Sequence, residues 1–93
     1  MCRNIRTLFN LDTSPSEDEL RNAALQYVRN ISGMRAPSQA NAEVFERVVR
    51  DVTAASRRLM DGLTTKAPPR DRNEEHAKAR ARWERRAKRL TGA

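Results

Sequence analysis

Ninety-three residues, 38% hydrophobic and 33% charged, read as one small domain whose body can fold alone but only marginally. The net charge is +7, and a single cysteine excludes an internal disulfide. No apolar run approaches the roughly 18 residues of a membrane span, and no uninterrupted apolar stretch follows Arg3 and Arg6 as a signal peptide requires, so the chain reads as cytoplasmic.

Residues 1–15 read as an N-terminal arm, with Ile5, Leu8 and Phe9 as apolar anchors. Ser16 followed by Glu17, Asp18 and Glu19 marks a helix start. Ser16 and Glu19 have the capping-box spacing, and the acids suit the positive end of the helix dipole. Leu20, Ala23, Ala24, Tyr27, Val28 and Ile31 then recur at the spacing of a buried stripe, which predicts a helix over about 17–31. Ser32-Gly33 stops it, since Gly33 tolerates the left-handed cap. A second helix is predicted over about 39–63, with Phe45, Val48, Val49, Val52, Leu59, Met60 and Leu63 on one face. Ser56 shares that face, where its hydroxyl can bond back to the Val52 carbonyl. Glu43–Arg47, Glu46–Arg50 and Arg57–Asp61 are spaced as outer-face i,i+4 pairs.

Ala67-Pro68-Pro69-Arg70 breaks the chain, because Pro68 disfavours helix at Ala67, and residues 67–72 read as a linker. A third helix is predicted over 73–91, capped by Asp71 or Asn73, with Glu74 and Glu75 in its first turn and Thr91-Gly92 at its end. The fold class is therefore all-α, an antiparallel helix pair with an N-terminal arm and a basic C-terminal helix. The second helix outruns the first, so part of its apolar face must be covered by the arm, the tail helix or a second copy in a homodimer.

Charge concentrates in the tail: residues 70–93 hold nine Lys/Arg against four acids. At about 100° per residue, Lys78, Arg82, Arg85, Arg86 and Arg89 fall on one face, beside a thin apolar strip of His76, Ala79, Trp83, Ala87 and Leu90. Guanidinium forks suit phosphate, so nucleic acid leads among acidic partners, with Trp83 positioning the helix. An acidic protein surface fits the same charge, whereas Trp83 and Leu90 offer too little area for a membrane. No helix-turn-helix spacing, zinc-finger ligand set or single-strand stacking platform can be picked out, so binding is expected to be independent of sequence. Two plainer explanations stand beside this one. Trp83 and Leu90 can dock on the body while Glu74–Lys78 and Glu84–Lys88 keep the tail soluble. Arg also outnumbers Lys sixteen to three, a skew that GC-rich codons alone produce.

Chemistry has less to build on. There is no Cys/His spacing for zinc, no Gly-rich phosphate loop and no Ser/His/Asp set, so no metal or cofactor is expected and catalysis is the least supported class. Cys2 is the one reactive candidate. Removal of Met1 would leave it with a thiol and an α-amine, and Arg3 and Arg6 favour the thiolate, which makes a thiol-based sensor the third reading. A small residue packing the arm is the simpler one, because the thiol has no placed base or resolving partner.

Met1-Cys2-Arg3-Asn4-Ile5 and Leu8-Phe9-Asn10 resemble the opening of a family of small uncharacterised bacterial proteins, a domain of unknown function. The resemblance continues through Gln26, Val28-Arg29, Ile31-Ser32-Gly33, Pro37-Ser38, Ala40-Asn41 and Phe45, and resumes at Ala67-Pro68-Pro69-Arg70. It implies a cytoplasmic bacterial protein and transfers no activity. It weights Cys2, Arg3 and Asn4 above any particular tail arginine, because the Ala/Arg-rich helix that ends such chains keeps a looser register. The expected function is a non-enzymatic interaction module that binds an acidic partner through its basic helix. The alternative is a protein–protein adaptor or homodimer built on the apolar face of the second helix.

Overall fold

Helix α1 spans Glu17–Ser32 because both of its ends are chemically marked. The Ser16 hydroxyl accepts from the Glu19 amide at 3.1 Å while the Glu19 carboxylate accepts from the Ser16 amide at 3.0 Å, completing the capping box. At the other end Gly33 adopts φ 72°, where a side chain is disfavoured, and its N–H closes the last turn on the Arg29 carbonyl. The computed structural model describes residues 5–90, and all of its regular structure is helical apart from one isolated bridge.

A connection containing Pro37 and a short 3-10 turn at Gln39–Asn41 leads into α2, Ala42–Gly62. The second helix therefore begins as a tighter turn before the α-helical stretch predicted for it. α1 and α2 lie antiparallel: Glu17, in the first turn of α1, meets Arg57, near the end of α2, at 3.3 Å. Helix α3, Arg72–Leu90, starts where Asp71 accepts the Glu74 amide at 3.0 Å, which settles the cap in favour of Asp71 over Asn73.

The described residues fall into two compact units. The first comprises residues 5–9 and Pro15–Thr65, and its core joins Ala24 and Val28 of α1 to Phe45 and Val49 of α2. Leu25, Met34, Val48 and Val52 pack around that cluster, and Leu20 is buried as well. Thr53 is buried on the α2 face although the hydropathy pattern passes over it. Its hydroxyl donates to the Val49 carbonyl at 2.7 Å, so burial leaves no polar group unsatisfied. Ser56 makes the expected bond to Val52, also at 2.7 Å.

The apolar stripes are shorter than their sequence period. Ile31 of α1 is exposed, as are Leu59 of α2 and Leu63 just after it, because the mutually covered length ends near Val28 and Thr53. Tyr27, beside buried Val28, is exposed because it sits at the edge of the covered face. Two of the three outer-face pairs also change partner. Glu46, expected to bind Arg50, pairs with Arg21 on α1. Arg57, expected to bind Asp61, binds Glu17 and donates to the Pro15 carbonyl at 3.1 Å. Tertiary proximity offers each a partner across the helix pair. Glu43–Arg47 forms as spaced, at 2.9 Å.

The second unit comprises Asn10–Ser14 and the chain from Lys66 onward. Asn10 adopts φ 60°, a left-handed conformation that asparagine tolerates, and its side-chain amide donates to the Pro68 carbonyl at 3.1 Å. Arg70 N–H donates to Asn10 O at 2.8 Å and Asp12 N–H to Arg70 O at 2.9 Å, forming the parallel bridge between Leu11 and Arg70. Arg72 donates to the Thr13 carbonyl at 3.1 Å. The proline-rich stretch is thus stitched to residues 10–14.

These assignments rank three substitutions by urea midpoint. Leu20→Ala removes a side chain 1% exposed and should cost about 2–5 kcal/mol. Ser16→Ala loses the cap and should cost about 1 kcal/mol. Leu59→Ala acts on an exposed residue and should change stability by no more than about 0.5 kcal/mol.

Candidate functional site

α3 has no buried residue, so its side chains are set by the helix rather than by a core. Its composition changes along its length. The first turn carries Glu74 and Glu75, which favour the positive end of the helix dipole, and the last turn carries Lys88 and Arg89 at the negative end. Both placements stabilise a helix of 19 residues whose packing contributes little.

The expected basic face is present and splits into two parts. Lys78 lies 3.9 Å from Glu75, one helical turn earlier, and Glu75 is also 3.8 Å from Arg70. Lys78 therefore pairs with Glu75 rather than with the expected Glu74, and its charge is partly offset where it sits. Arg82, Arg85 and Arg89 follow at i+4, i+7 and i+11 from Lys78, all exposed, and among the described residues no carboxylate pairs with them. Arg86 is half-buried on the edge of the same face. From Arg82 to Arg89 the helix rises about 10 Å, which places three guanidinium groups within reach of one stretch of polyanion backbone.

The neighbouring strip is equally open. Trp83 is 59% exposed and Leu90 79%. Ala79 and Ala87 are half-buried, whereas His76 is exposed.

Elsewhere, a surface depression of about 390 Å³ near the C-terminal end of α1 is lined by Gln26, Arg29, Asn30, Gly33 and Arg35. No sequence signal marks it, because its residues come from the helix end and the loop that follows. Arg29 Nε donates to the Arg35 carbonyl at 2.8 Å, and a cation there interacts with the negative end of the helix dipole, so stabilisation of the turn accounts for it. Cys2, with Arg3 and Asn4, lies outside the described residues. Among the described residues, no group of three or more His, Cys, Asp or Glu side chains could hold a metal ion, and no helix is long and apolar enough to cross a membrane.

Residues 1–78 match the model of a family described as an uncharacterized conserved protein (DUF2277). No curated protein and no solved structure matches the chain. The match takes in the helix pair, the 10–14 and 66–72 contacts and the start of α3. It ends at Lys78, so Arg82, Trp83, Arg85, Arg86 and Arg89 lie beyond it.

The Asp71 cap is open to direct test. Asp71→Ala should cost about 0.5–2 kcal/mol locally and fray the first turn of α3, seen as accelerated amide exchange at Glu74 and Glu75 with the α1 amides unaffected.

Proposed function

The chain belongs to the DUF2277 family, whose description assigns no activity, and from that premise we propose that it is a non-enzymatic interaction module binding nucleic acid through the basic face of α3. The observation that carries this reading is the row of Arg82, Arg85 and Arg89, exposed on one side of a helix and, among the described residues, paired with no carboxylate. Each guanidinium can donate two parallel hydrogen bonds to a phosphate and displace a condensed counterion. Lys78 and Arg86 extend the face, Lys78 with its charge shared with Glu75. The contacts are to backbone phosphate, so affinity falls with salt and depends little on base sequence. The reading concerns this chain rather than the family as a whole, because the face lies mostly beyond the matched residues.

A protein–protein role is the second reading, favoured by one observation. α2 runs on past Thr53 with Leu59 54% and Leu63 43% exposed, an apolar end that α1 leaves uncovered. A homodimer built there would be dispersed by Leu59→Asp, and sedimentation would report a monomer, whereas Arg82→Gln would leave it intact.

Three phosphate contacts predict a log–log salt slope of about −2.7 on duplex DNA, a loss of roughly 40-fold in affinity between about 50 and 200 mM salt. The triple variant Arg82/Arg85/Arg89→Gln should reduce the slope by about that amount, leaving only what Lys78 and Arg86 contribute, measured by fluorescence anisotropy. Equal affinity and equal slope for the variant and the parent would remove α3 as the binding surface.

A further inference from the structure

Trp83 is the only tryptophan of the chain, and it stands in the open on the most basic part of α3. Its neighbours one turn away decide what it can do. At i−4 and i+4 are Ala79 and Ala87, which are too short to cover an indole ring. At i−3 and i+3 are Arg80 and Arg86, two cations one helical turn to either side. The indole thus presents a flat apolar surface between two positive charges. Around the helix it lies about 100° from Arg82, about 120° from Arg89 and about 160° from Arg85, with Arg86 in the sector between Arg82 and the indole.

We propose that Trp83 is a base-stacking residue and that α3 binds single-stranded nucleic acid in preference to duplex. This rests on the phosphate-binding reading above and adds the substrate class. A flexible strand can follow the phosphate row and turn a base onto the indole in the adjacent sector, using both faces at once. A duplex cannot do so. It meets the helix from one side, and its bases are already stacked, so engaging Trp83 requires opening a base step. Every base has a π-face, so stacking adds affinity without adding sequence preference, and the flanking guanidinium groups contribute charge and cation–π attraction. Charge complementarity selects this occupant over an apolar partner: the strip of Trp83, Ala79, Ala87 and Leu90 is narrow and is bordered by Arg80 and Arg86.

The sole tryptophan is also the reporter. The full-length protein is titrated at about 50 mM salt with a ~12-nucleotide single-stranded DNA, the corresponding RNA, and a duplex of the same length, with tryptophan emission and anisotropy of a labelled strand both recorded. The expected result is quenched emission with either single strand, and single-strand affinity at least about fivefold above that for duplex, the lower end of what one stacked base contributes. Trp83→Leu should abolish that preference and leave duplex binding and its salt slope unchanged, while Trp83→Phe should keep part of it. Saturable binding without quenching, or a preference that survives Trp83→Leu, overturns the stacking role and leaves the phosphate reading standing. Unchanged binding by Arg82/Arg85/Arg89→Gln overturns the phosphate reading itself. Absence of binding to all three polymers overturns both. A blue shift with anionic vesicles of phosphatidylserine, in place of quenching by single strands, would reassign the strip to a lipid surface.

Discussion

Contact between Ala24 and Val28 of α1 and Phe45 and Val49 of α2 is the interaction on which the first unit depends. Ala24 matters through its size. A small side chain at the middle of the contact lets the helices approach closely, so that Val49 becomes fully buried. Only a handful of side chains reach that state, which for a body of this length gives a modest hydrophobic contribution. Local devices supplement it: the Ser16/Glu19 box, the Gly33 cap and the back-bonded hydroxyls of Thr53 and Ser56. The cross-helix pairs Arg21–Glu46 and Arg57–Glu17 form because the core has already brought the two helices together. Being largely exposed, they orient more than they stabilise.

The second unit is organised without a comparable core. Backbone hydrogen bonds between residues 10–12 and Arg70, with the Asn10 amide on Pro68, hold a segment that prolines bar from helix. Arg72 adds bonds to the Thr13 and Ser14 carbonyls. Asp71 then starts α3 immediately after this stitched stretch. The arrangement ties the beginning of the basic helix to a fixed piece of backbone, and none of the described residues of α3 is buried.

Charge is divided along the same line. Glu17, Glu19, Glu46, Asp71 and Glu75 are engaged in caps and ion pairs, whereas Arg82, Arg85 and Arg89 sit in water on one face. Trp83 shares that exposure. On the reading proposed above, this cationic face with a single aromatic ring beside it takes a polyanion that also carries flat apolar groups, as an unpaired nucleic-acid strand does. The family match ends at the point where this surface begins.

Sequence alone determined the three helices and the caps of the first, because those depend on residues three or four apart. The structure chose between Asp71 and Asn73 for α3 and opened the second helix with a 3-10 turn. Ser16 with Glu19, Gly33, Ser56 beneath Val52 and the arginine row of α3 are all local relations that the 3.6-residue period exposes. The tertiary structure alone decided how far each apolar stripe is covered, which left Tyr27, Ile31, Leu59 and Leu63 in solvent, and which of several carboxylates each arginine takes. Glu46 lies four residues from Arg50 in the chain yet pairs with Arg21, and Arg57 pairs with Glu17 rather than Asp61. Helical spacing ranks partners on one helix only. Partners on another helix depend on how the two pack, and that depends on the summed contacts of the core. The bonds between residues 10–14 and the proline stretch join positions nearly sixty residues apart, and no local pattern encodes them.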